Sequence, residues 1–105
     1  MKKTTLWEIL VPCVRNGKPV RKRHHQEWDK VVRKISGGLT LMGVARGQWI
    51  NPENKELVAE RMIPVRIACT EAQINRIVDF TITHYNQDMV FAYEIAQKVI
   101  FRAKK

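Results

Sequence analysis

Binding and catalysis need charged or metal-ligating groups gathered beside partners, and this chain gathers such groups in two places. The first is the run Arg21-Lys22-Arg23-His24-His25, which opens a segment of helical period. The second is a set of charges on strand-like segments: Glu8, Arg46, Glu60, Arg66 and Glu94. Neither spells a nucleophile motif, a phosphate loop or metal-ligand spacing. Gly37-Gly38 follows a helix, whereas a phosphate loop precedes one. His24 and His25 are adjacent, so on a helix their rings point about 100° apart and cannot share an ion as i, i+4 histidines can. His84 is the only other histidine. A His24/His84 pair between neighbouring helices is conceivable, but the simpler expectation is a solvated helix start, with no metal and no cofactor.

The strand charges matter only if something covers them. A pocket around Glu8, Arg46, Glu60, Arg66 and Glu94 could hold a small polar ligand or move a proton. Cross-strand ion pairs at an interface are the plainer expectation, so enzymatic activity is left open and not favoured. The chain carries a net charge of +9. Arg21, Lys22, Arg23, Lys30, Arg33 and Lys34 gather much of it on one segment and are the best candidates for a polyanion contact. Four to six phosphate contacts would give a salt slope of about −4 to −5 on B-DNA. The strands lack the aromatics on which sheet-type RNA binders stack bases. A solvated helix face is therefore expected ahead of a nucleic-acid site.

The elements that must position these groups follow from periodicity. Thr5–Val14 alternates as a strand, with Trp7, Ile9, Val11 and Cys13 on one face and Leu6, Glu8 and Leu10 on the other. Asn16-Gly17 and Pro19 form a loop. Trp28, Val31, Val32 and Ile35 repeat at helical spacing, and Gly37 is available for a left-handed cap. Leu39–Ile50 and Leu57–Cys69 read as two strands joined by the turn Asn51–Lys55. Thr70 and Gln73 form a capping box before a helix carrying Ile74, Ile77, Val78, Ile82 and Tyr85. Asn86-Gln87 closes that helix, Met89–Phe101 reads as a fourth strand, and Arg102–Lys105 is a basic tail. The expected fold is α+β: a ferredoxin-like βαββαβ two-layer sandwich, one domain of 105 residues with its core in 5–101, and an antiparallel sheet of order 4-1-3-2.

Two helices cover one face of such a sheet. Alternation places Leu6, Glu8, Leu10, Thr40, Met42, Val44, Arg46, Gln48, Val58, Glu60, Met62, Pro64, Arg66, Val90, Ala92, Glu94 and Ala96 on the other, with Trp49 on the helix side. Leu6, Leu10, Met42, Val44, Met62 and Arg66 form the expected association patch. Covering ~400 Å² of apolar surface at ~25 cal/mol per Å² is worth roughly 10 kcal/mol gross. The expected cover is a second copy of the chain, giving a homo-oligomer. No apolar run reaches the ~20 residues of a membrane span, so no membrane partner is expected. Two cysteines without metal spacing, Cys13 and Cys69, fit reduced thiols in a cytoplasmic protein.

The hairpin region carries a resemblance. Trp28, then Gly38-Leu39-Thr40, Gly47 and Trp49, Glu60, and Gln87-Asp88 match the pattern of a family of small uncharacterised bacterial proteins with a G-L-T…G-x-W hairpin. The chain resembles that family from about Glu27 to Phe91. The resemblance implies a ferredoxin-like α+β fold and no particular reaction.

Overall fold

The computed structural model describes residues 4–104. The lysine start Met1–Lys3 and the last tail residue, Lys105, lie outside the described residues. Nine elements follow in order: β1 (Thr5–Pro12), β2 (Val14–Arg15), β3 (Lys18–Pro19), α1 (Lys22–Ser36), β4 (Thr40–Leu41), β5 (Ala45–Ile50), β6 (Leu57–Cys69), α2 (Glu71–Tyr85) and β7 (Ala92–Ala96). The main sheet runs β4-β6-β1-β7, and β5 continues along β6 beyond β4. Each of these pairings is antiparallel. The result is an α+β layer pair of 55 × 29 × 23 Å, with β5 and the start of β6 forming an arm whose only strand pairing is with each other.

The core lies between α1, α2 and one face of the sheet. Ile9 and Val11 of β1, Val65, Ile67 and Cys69 of β6, Trp28 and Val32 of α1, and Ile74, Ile77 and Tyr85 of α2 are buried together. Trp28 Nε1 donates to Thr81 Oγ1 at 2.9 Å, which locks the helices and satisfies the buried indole. Both helix ends follow from local chemistry. Gly37 takes the left-handed cap at φ 92°, a conformation that costs a glycine little. The Thr70/Gln73 capping box closes both of its hydrogen bonds. α1 lacks a side-chain cap at Arg21 and has no acidic residue in its first turn.

Three local structures differ from the sequence expectation. The Asn16-Gly17 loop is a tight two-residue hairpin between β2 and β3, with φ 53° and 74° at its centre. Positive φ at both positions matches the twist of the flanking strands, and Asn-Gly tolerates it. The second strand, Leu39–Ile50, is two strands broken at Met42–Val44. The fourth, Met89–Phe101, shortens to Ala92–Ala96.

The break at Met42–Val44 changes which side chains face where. Thr40 lies opposite Arg66, but Ala45 lies opposite Met62, so the alternation slips by one residue between β4 and β5. Gly47 and Trp49 therefore share the open face with Glu60 and Val58, while Arg46 and Gln48 turn to the helix side. Trp49 is not a core plug: it is 46% exposed. Met42 and Val44 leave the open-face patch and line a cavity of about 590 Å³ with Val11 and Trp28. A Cβ at Gly47 would lie 2.5 Å from Met62 Cε, the end of a flexible side chain, so an alanine there would push the methyl aside. Met62 is flexible, so Gly47→Ala is expected to cost under about 1 kcal/mol in urea unfolding while displacing the Met62 methyl.

The same slip occurs in β7. Tyr93, and not Ala92 or Glu94, faces Glu8; Ala92 pairs with Ile9 and Glu94 with Trp7 on the helix side. Val90 packs against the core. The thiols of Cys13 and Cys69 are both free. Cys69 sits opposite Thr5 at the start of β1, whereas Cys13 follows the end of β1.

Candidate functional site

Glu8 occupies the middle of β1, between β6 and β7, on the face away from the helices. The register places Arg66 on one flank and Tyr93 on the other. Arg66 Nε donates to Glu8 Oε1 at 3.1 Å, and Tyr93 Oη donates to Glu8 Oε2. Both carboxylate oxygens are thus engaged, although Glu8 is only 9% exposed. The Tyr93 hydrogen bond lowers the Glu8 carboxyl below its ordinary range, burial opposes this, and Arg66 lowers it further. The reciprocal effect pushes the Tyr93 phenol up, chiefly through its bond to Glu8.

The pH consequence has a definite sign. A carboxyl lowered in the folded state adds stability above its unfolded value, and that stability is lost as pH falls through the folded value. Tyr93→Phe removes the largest lowering contribution. It is expected to flatten the acid limb of stability between about pH 3 and 5, measured by urea unfolding against pH.

Of the five charges expected to share a pocket, only Glu8 and Arg66 meet. Glu94 turns away with its strand, and Arg46 faces Arg61 across the arm. Glu60 accepts from Trp49 Nε1 at 3.3 Å, further along the open face. Leu10 and Met62 lie between the Glu8 cluster and the arm, and with Trp49, Glu60 and Phe91 they line a cavity of about 310 Å³. Large apolar side chains stand exposed around it: Trp49 on the arm, Met89 and Phe91 after α2. Leu6 is half-buried at the far end of β1.

The histidines form a different structure from the expected solvated helix start. His24 and His84 stack at 3.8 Å with an interplanar angle of 10°, and Phe80 continues the stack at 5.0 Å from His84. His24 Nε2 meets the His84 carbonyl at 2.6 Å and His84 Nε2 meets the His24 carbonyl at 2.8 Å. A carbonyl only accepts, so both Nε2 atoms donate. One of the C-terminal carbonyls of α2 is satisfied in this way. His25 Nδ1 lies 2.7 Å from the hydroxyl of the fully buried Tyr85. Burial lowers the His25 imidazole and raises the Asp29 carboxyl. Potential ligand atoms of His24, Glu27 and His84 fall within 4.8 Å of one another. The stacked rings direct their in-plane lone pairs along nearly parallel planes, which is poor geometry for one ion. The cluster fastens the start of α1 to the end of α2.

Arg21, Lys22, Arg23, Lys30, Arg33 and Lys34 are all exposed at or along α1. Arg23 pairs with Glu27 at 3.7 Å. These cations lie on the opposite side of the sheet from Glu8, so they do not belong to its site. No helix among the described residues is long and apolar enough to cross a membrane.

No family model and no curated protein matches the sequence. Solved structures do match in fold. A phage SAM lyase in complex with S-methyl-5'-thioadenosine aligns with a TM-score of 0.68 at 14% identity, over 94% of this chain and 85% of that one. CutA1 from Oryza sativa aligns at 0.70 and 8% identity, over 95% and 84%. The divalent cation tolerance protein CutA1 from Thermus thermophilus aligns at 0.66 and 8%, over 96% and 87%. At such identities the likeness shows a shared α+β fold of the CutA1 type.

Proposed function

We propose that this chain is a small homo-oligomeric binding domain on a ferredoxin-like βαββαβ frame of order 4-1-3-2. Copies associate through the open sheet face and the adjoining arm. The observation that carries this reading is the concentration of exposed Trp49, Met89 and Phe91 around half-buried Leu10 and Met62. A patch of this kind on a small domain marks an interaction surface. Under a covering copy, Glu8, Arg66 and Tyr93 stay satisfied, because they already bond to one another. The free thiols support a cytoplasmic setting. The G-x-W residues lie on this face, with Gly47 beneath Met62 and Trp49 bonded to Glu60. Sedimentation equilibrium over a concentration series tests the reading. A defined oligomer is expected at micromolar concentration; a monomer throughout ends it.

A second reading has one specific observation in its favour. The phage SAM lyase aligns over nearly the whole chain, and Glu8, Tyr93 and Arg66 supply a carboxylate, a phenol and a guanidinium on the face that association would enclose. SAM carries a sulfonium cation that an ionised carboxylate would attract. Incubation with SAM, followed by chromatography for S-methyl-5'-thioadenosine, tests it. Release no faster than in buffer ends this reading and leaves the oligomer proposal standing.

A further inference from the structure

Arg46 and Arg61 lie directly opposite each other across β5 and β6. Like charges in that position destabilise a strand pair. Neither guanidinium has a carboxylate within ion-pair distance among the described residues. Both line a cavity of about 650 Å³ at the root of the arm, together with Gln48, Val14 and Gln87. Glu60 also lines it, but its Oε1 is held by Trp49 on the opposite face. The backbone beneath is anchored, since the Cys13 amide donates to the Arg61 carbonyl at 3.3 Å.

From this geometry we infer that the cavity between Arg46 and Arg61 is a binding site for the phosphate group of a small molecule. The strands are about 4.8 Å apart, so the two side chains start close enough to close on one ion. One guanidinium fork satisfies both oxygens of a carboxylate. Two forks converging from neighbouring strands match a tetrahedral oxyanion, which offers each of them a pair of oxygens. The bound anion relieves the repulsion that the empty pair sustains. The site is concave and of small-molecule size.

The Cys13 thiol provides an independent readout. Burial pushes it up and the Arg61 charge pulls it down. A phosphate seated on Arg61 cancels that pull, so alkylation of Cys13 slows as the site fills. Cys69 stays silent, because it is buried and its thiol is pushed up to about 11.

The experiment titrates the full chain with inorganic phosphate, with sodium chloride at matched ionic strength as control. It follows the arginine Nε–H signals and the Cys13 alkylation rate. The expected result is saturable shifts at Arg46 and Arg61 and slower alkylation with phosphate alone. Arg46→Gln should weaken phosphate binding about tenfold or more. Arg46→Glu should abolish it and raise the melting temperature of the phosphate-free protein, because an opposite-charge pair replaces a like one. Equal responses to phosphate and chloride would overturn the inference. So would an Arg46→Gln variant that binds phosphate as before, or one whose only change is a lower oligomer mass, which would assign the arginines to another copy. A short DNA duplex that shifts the α1 lysines and arginines while leaving Arg46 and Arg61 unmoved, with phosphate inert, would place anion binding on α1 instead.

Discussion

Trp28→Ala is expected to lower the free energy of unfolding by about 3–5 kcal/mol, measured by urea denaturation followed by circular dichroism. The indole is 1% exposed, at the centre of the contact between α1, α2 and the sheet. Its removal leaves a cavity that surrounding Val32, Val65 and Tyr85 cannot collapse to fill without moving helices. The polar half of the loss can be separated. Thr81→Val strands the indole N–H in the core and should cost about 1–3 kcal/mol. Trp28→Phe should cost less than Trp28→Ala, because a ring still fills most of the space; in both variants Thr81 Oγ1 still donates to the Ile77 carbonyl at 2.6 Å. Loss of this magnitude approaches the entire stability of many domains of this size, so the alanine variant is expected to be largely unfolded at 37 °C.

Met62→Glu is the second large effect, and it acts on association instead of folding. Met62 is half-buried on the open face, over Gly47 and beside Leu10, so a single chain tolerates a carboxylate there. In an oligomer the same carboxylate is desolvated near Glu60 and without a new partner. An unpaired buried charge costs about 3–5 kcal/mol, which raises a dissociation constant by a factor of roughly 10² to several times 10³. Sedimentation should show monomers at concentrations where the wild type is assembled, with an unchanged circular dichroism spectrum. Lys34→Glu, on the solvated outer face of α1, should leave the mass unchanged. If both variants dissociate equally, the effect is one of net charge and the open face is not the interface.

What the sequence revealed followed the length and regularity of each pattern. β1 and β6 are long and uninterrupted, so alternation placed Leu6, Glu8, Leu10, Met62 and Arg66 together on one face. The helices were legible because their stripes and caps agree: Trp28 with Val32, Thr70 with Gln73, Gly37 at the left-handed position. Parity failed where a strand breaks. One irregular stretch at Met42–Val44 exchanged Arg46 for Gly47 and Trp49, and the bulge in β7 opposite Leu6 and Trp7 exchanged Glu94 for Tyr93. A signal was present in both cases. Gly43 lies in the first break, and Glu8 on a dry strand needs a donor that Tyr93 can supply and Glu94 cannot. The His24–His84 stack was hidden for another reason: it joins positions 60 residues apart, and helix period gives a side chain's face without its partner on the next helix.

In the proposed assembly another copy covers the face bearing Leu10, Met62 and the Glu8 cluster. Isotope-filtered nuclear Overhauser spectroscopy on a mixture of methyl-labelled and unlabelled chains reads that contact directly. Intermolecular cross-peaks at the Met62 and Leu10 methyl groups are predicted. Their absence, or an oligomer whose cross-peaks arise only from the α1 side, would contradict it.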